Sequence, residues 1–139
     1  MPTEDKVTIF ENEKMTVWAY PKRGIIHHKI HQYVSGAPFR QALEAGIEAM
    51  IKYGGYGWLS DDRLNGALQP ADLEWAERSW FPKTVAAGWK YWALLPPRQV
   101  IGQMNIRRHI QLYKELGITV EVFPEEFEAA LSWLESQPR

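Results

Sequence analysis

Trp58-Leu59-Ser60-Asp61-Asp62-Arg63 runs into Leu64-Asn65-Gly66, then Pro70-Ala71-Asp72-Leu73-Glu74-Trp75, Trp80-Phe81-Pro82 and Gly88-Trp89-Lys90-Tyr91-Trp92. This stretch decides how the rest of the chain reads. A short apolar strand, Tyr56 to Ser60, enters an acidic, glycine-containing loop, and a helix opens at Pro70, whose missing amide hydrogen costs nothing in a first turn. A second strand, Trp89 to Leu95, stops at Pro96-Pro97. Strand, loop, helix and strand make a crossover between parallel strands that aims charged groups at one sheet edge. Pro82 falls inside the helical run and releases the carbonyl near Arg78, which predicts a kink or a break.

Working outward, Val7-Thr8-Ile9-Phe10-Glu11 and Met15-Thr16-Val17-Trp18-Ala19-Tyr20 alternate as strands do, and Asn12-Glu13-Lys14 between them is short and polar enough to turn a hairpin. A third strand is expected from about Ile25 to Tyr33. Ser35 then caps a helix whose apolar positions Phe39, Leu43, Gly46, Ile47, Met50 and Ile51 recur at helical spacing until Gly54-Gly55. On the far side, a helix is expected from Gln99 to Leu116, a strand from Ile118 to Phe123, and a last amphipathic helix from Glu125 to Glu135 with Phe127, Ala130, Leu131 and Leu134 inward. The order β-β-β-α-β-α-β-α-β-α predicts a single α/β domain over residues 1–139, with a mixed sheet, an N-terminal hairpin and parallel βα crossovers.

Composition narrows the function classes. A formal charge of -1 gives no electrostatic reason to expect nucleic acid. No apolar run approaches the roughly 18 residues of a membrane span, and Met-Pro-Thr-Glu-Asp-Lys is no basic and apolar leader, so a cytoplasmic protein is expected. Zero cysteines remove disulfides, thiolate catalysis and cysteine-bound zinc. No cofactor is indicated.

The order of elements, together with Trp58-Leu59-x-Asp61-x-Arg63, Pro70-x-Asp72-x-x-Trp75, Trp80-x-Pro82 and Gly88-x-Lys90, resembles the small bacterial STAS-like domains. That group includes anti-sigma-factor antagonists and is structurally akin to CRAL-TRIO lipid-binding domains. The resemblance runs from Val7 to Leu134 and implies a STAS-like α/β fold with four helices and a binding or regulatory role. In the antagonists, a serine or threonine of an Asp-Ser-(Ser/Thr)-Gly-Leu turn is phosphorylated. The matching region here is Ser60-Asp61-Asp62-Arg63, with glycine arriving only at Gly66, which makes Ser60 the candidate for modification.

If the loops after the strands at 56–60 and 89–95 lie side by side, Asp61, Asp62, Arg63 and Asn65 meet Arg98, Gln99 and Asn105 at the carboxyl ends of the strands, where open α/β sheets gather ligands. Arg63 offers a planar fork and the aspartates accept donors. The same residues also serve purely local turns. Trp75 and Trp80, five residues apart on one helix, cannot both face inward, so one of them is expected to be partly exposed as a contact surface. The leading expectation is a non-enzymatic module that engages a partner protein or a small anionic or amphiphilic ligand at this rim. A phospho-switch on Ser60 and a small aspartate-dependent hydrolase are the alternatives. A homodimer through the hairpin edge or the Trp-bearing helix is open.

The histidines read as bland. His27 and His31 share a strand face about 13 Å apart, too far for one metal, and with Lys29 they suggest a solvated face. His109, after Arg107-Arg108, suggests a solvated helix face. No metal site is expected.

Overall fold

Alternating side chains make the opening hairpin, and the computed structural model, which describes residues 5–139, carries that hairpin into one sheet. The strands are β1 (Val7–Glu11), β2 (Met15–Tyr20), β3 (Ile25–Ile30), β4 (Gly57–Asp61), β5 (Tyr91–Leu95) and β6 (Thr119–Val122). Their spatial order is the order of the chain. β1, β2 and β3 pair antiparallel, and β3 through β6 pair parallel. The helices are α1 (Ala37–Tyr53), α2 (Pro70–Trp75), α3 (Phe81–Ala86), α4 (Val100–Glu115) and α5 (Phe127–Ser136). The mixed α/β sheet with hairpin and crossovers is therefore as the alternation predicts.

Each parallel crossover advances the sheet by one strand in the same direction, so helices of one hand fall on one face. Phe39, Leu43 and Met50 of α1, Phe81 of α3, and Ile106 and Tyr113 of α4 accordingly join one core with Trp58 and Trp92. The opposite face is closed by α5, whose Ala130, Leu131 and Leu134 pack on Tyr20, Leu59 and Leu95. With both faces covered, β4 is buried along its whole length, charged residue included.

The break expected at Pro82 takes a specific form. Residues 70–86 wind continuously, but Ala76–Trp80 is a π-helical segment, and Phe81 N–H reaches back to Ala76. The wider turn absorbs the extra residue, and Pro82 sits in the first turn of α3, where it needs no donor.

Three local expectations are corrected. Ser35 does not cap α1: Gly36 stands at the N-cap with φ of 67°, and no side chain caps from that position. The acceptor comes from α2 instead, since the Asp72 carboxylate takes the Gly36 N–H at 3.0 Å and Arg40 Nε at 3.0 Å. Ile51 is 65% exposed, because it lies just past the buried stripe that ends at Met50. His27 is not on a solvated face: it is buried under α5, its ring 5.1 Å from that of Phe127 and 4.6 Å from that of Trp18. Only the far end of that face, at Lys29 and His31, reaches solvent.

Candidate functional site

The loops after β4 and β5 do meet at one rim, where Asp62 N–H donates to the Leu95 carbonyl at 3.0 Å and Arg98 N–H donates to the Arg63 carbonyl at 3.1 Å. Their charges, however, are largely turned on one another. Arg63 forks onto buried Asp61, with Nε to Oδ1 at 2.9 Å and Nη2 to Oδ2 at 2.8 Å. Burial alone would raise the Asp61 carboxyl, but the hydrogen bonds and charge of Arg63 outweigh it and hold the group below its ordinary range. Arg98 forks onto Glu125 at 2.6 and 2.7 Å, and Arg63 adds a third bond to Glu125 at 3.3 Å. The hydrogen bonds from Arg98 draw the Glu125 carboxyl down to about 2.

The amides of the rim serve the backbone. Asn65 Oδ1 accepts Val34 N–H at 3.4 Å, and Asn105 Oδ1 accepts Leu68 N–H at 2.9 Å. Of the two helix tryptophans, Trp80 is buried and donates to the Leu43 carbonyl at 3.0 Å. Trp75 is half-buried against Phe39, with the Arg40 guanidinium 5.4 Å from its ring.

Beneath this rim, between β3–β5 and the helices of the larger core, lies a cavity of about 40 Å³. Its walls are aromatic: Trp58, Trp80, Trp89, Trp92 and Tyr113, with Trp58 and Trp80 perpendicular at 5.1 Å and Trp80 and Trp89 5.2 Å apart. Four polar side chains interrupt them, His28, Ser60, Asp62 and His109, all buried. The β3–β4 register pairs His28 with Ser60, and alternation brings Trp58, Ser60 and Asp62 to the same side.

The hydrogen bonds here fix the roles. An indole only donates, so Trp58 Nε1–H, 3.0 Å from His28 Nδ1, makes that nitrogen the acceptor. His28 Nε2 then carries the hydrogen and donates to Asp62 Oδ1 at 2.7 Å. Trp92 Nε1–H donates to Ser60 Oγ at 2.9 Å. Serine, histidine and aspartate thus stand together but are not wired as a nucleophile and its base, because neither imidazole nitrogen is free to take a proton from Ser60.

His109, expected on a solvated helix face, is buried, its Nδ1 3.3 Å from Glu77 Oε2 of the π-helical segment. Burial lowers its pKa, with Glu77 opposing. Tyr113, one turn further along α4, is 1% exposed, and its hydroxyl has no hydrogen-bond partner among the described residues. Burial drives that phenol well above its ordinary range. Among the described residues, no three histidine, aspartate or glutamate side chains converge as a metal site requires.

The roles of His28, Tyr113 and Glu77 escaped the sequence reading, and His109 was expected on a solvated helix face. The legible hint was Trp58-x-Ser60-x-Asp62, two polar residues at alternate positions on what should be an apolar face. The distant partners on α4 and the π-helical segment left no comparable trace. In comparisons with protein-family models, curated proteins and solved structures, no match to this chain was found.

Proposed function

We propose that this chain is a STAS-like binding module that takes a small, flat, largely apolar ligand bearing a hydrogen-bond acceptor into the cavity beneath the loops after β4 and β5. The observation that carries this reading is Tyr113, a residue of the cavity wall whose buried hydroxyl has no hydrogen-bond partner among the described residues. Such a group costs about 1–3 kcal/mol, and phenylalanine would fill the same space without that penalty. A ligand acceptor relieves it. Ser60 offers a second donor, since its oxygen already accepts from Trp92 while its own hydrogen remains available. Indole walls favour flat rings.

As it stands, the space holds only a few water-sized bodies, well short of the about 150 Å³ that accommodates benzene. Entry therefore requires movement. Leu68 is half-buried while the other lining side chains are buried, and among the described residues the irregular segment 62–69 that carries it makes one hydrogen bond to α4, from Leu68 N–H to Asn105 Oδ1. That segment is the natural door.

A phospho-switch on Ser60 has less support, since the residue is 3% exposed and lines the cavity. An aspartate-dependent hydrolase has less again, with Asp62 held by His28.

The test is a ligand-observed NMR screen of small aromatic alcohols, ketones and carboxylates, run on the wild type and on Tyr113→Phe. Hits should shift the indole N–H resonances of Trp58, Trp80, Trp89 and Trp92 and weaken in the variant. The ligand-free variant should melt higher than the wild type. An empty screen, or hits indifferent to Tyr113→Phe in a variant that melts lower, would overturn the reading.

A further inference from the structure

A second feature lies away from the cavity, where β6 forms an edge of the sheet and α4 runs beside it. Between them is a groove of about 810 Å³. Its apolar part includes Met104, 60% exposed, and Val122, 39% exposed, together with Ile110. Its charged part is Arg107, Arg108 and Lys114, all exposed. Among the described residues, none of these three makes an ion pair. Met104, Arg107, Arg108, Gln111 and Lys114 recur at three- and four-residue spacing, so α4 presents one cationic and apolar stripe along the strand edge.

The backbone of that edge is also open. Thr119 N–H donates to the Lys90 carbonyl at 3.1 Å and Phe123 N–H to the Leu94 carbonyl at 2.8 Å, so odd-numbered amides face β5. By alternation, the N–H and C=O groups of Val120 and Val122 point away from the sheet. Val120 is buried toward the helices of the larger core, and Val122 shares that side and floors the groove.

We propose that this groove docks an extended acidic segment of another protein, which adds to β6 as a seventh strand. Main-chain hydrogen bonds to Val120 and Val122 supply the register. Alternate side chains of the segment, acidic and aliphatic, lie toward α4 and meet Arg107, Arg108 and Lys114 around Met104 and Val122. The intervening side chains fall on the side of Glu121 and are best uncharged. A second copy paired β6 to β6 would bring the two cationic stripes together, which disfavours self-association through this edge.

The experiment uses fluorescein-labelled short peptides that alternate threonine with glutamate and valine, read by anisotropy against the full chain. Three arms accompany the parent peptide: one with lysine for glutamate, one with a central proline that keeps charge and bulk but blocks strand pairing, and a single-stranded oligodeoxynucleotide as competitor. The parent should bind, and both altered peptides should bind about tenfold more weakly or worse. Arg107→Glu/Arg108→Glu, at exposed positions, should abolish binding with the melting temperature unchanged. Absence of parent binding, equal binding of the proline peptide, preference for the oligodeoxynucleotide, or concentration-dependent dimerisation lost in the double variant would each overturn the proposal.

Discussion

At the scale of single residues, the tightest constraint is a glycine under an indole. A Cβ on Gly46 of α1 would collide with the outer carbons of the Trp58 ring, Cη2 nearest and Cζ3 at 2.7 Å, and Trp58 has nowhere to go because its own N–H is committed to His28. Overpacking a core usually costs about 1–3 kcal/mol, and here the clash is with a whole buried ring, so Gly46→Ala should cost roughly 3 kcal/mol or more. Urea denaturation will measure it. In Gly46→Ala/Trp58→Phe the smaller ring admits the methyl, and the combined loss should be less than the sum of the single losses. Strict additivity would mean that helix and strand do not meet there as described.

At the scale of elements, α1 is started by a residue from another helix. Asp72, 1% exposed, serves the Gly36 amide and the Arg40 guanidinium together, so the first turn of α1 depends on α2 being in place. Asp72→Ala should cost about 2–3 kcal/mol, and Asp72→Asn, which keeps one acceptor, less. Faster amide exchange at the start of α1 is the confirming observation, and equal losses in the two variants would show that the retained acceptor contributes nothing and the charge alone matters. This long-range cap also explains what sequence could and could not supply. Periodicity found every strand and helix, because spacing of two and of about 3.6 residues is imprinted locally. Ser35 misled because capping was sought in the neighbouring residue, while the acceptor stood 36 positions away. The rim of Asp61, Arg63 and Arg98 was legible from the crossover pattern. Its saturation was not, since Glu125 arrives from beyond β6. His27 and His109 were misread for a like reason: alternation reports that a face exists, not which later helix covers it.

At the scale of the whole molecule, the layers enclose a histidine that acid should find. Burial pushes the His27 pKa down to about 3, helped by the charges of His28, Lys6 and Lys29 and opposed by Asp61. Trp18, Tyr20 and Phe127 pack against the ring. The unfolded chain binds this proton near pH 6.5 and the folded chain only near 3, so stability is complete above about 6.5 and declines as pH falls through that window. Below about pH 4, Asp61 adds to the decline, because its folded carboxyl is the stronger acid. Denaturation at about pH 7.5 and about pH 4.5 should show a larger loss in the wild type than in His27→Gln, on the order of a few kcal/mol at most. Parallel losses would place the acid sensitivity elsewhere. The aromatic walls, finally, have an optical consequence. Rings of Trp58, Trp80, Trp89 and Trp92 at 5.1 to 6.4 Å share their electronic excitation, which should give coupled bands in circular dichroism. Any guest that parts them would uncouple those bands, so the molecule carries an unlabelled reporter of its own occupancy.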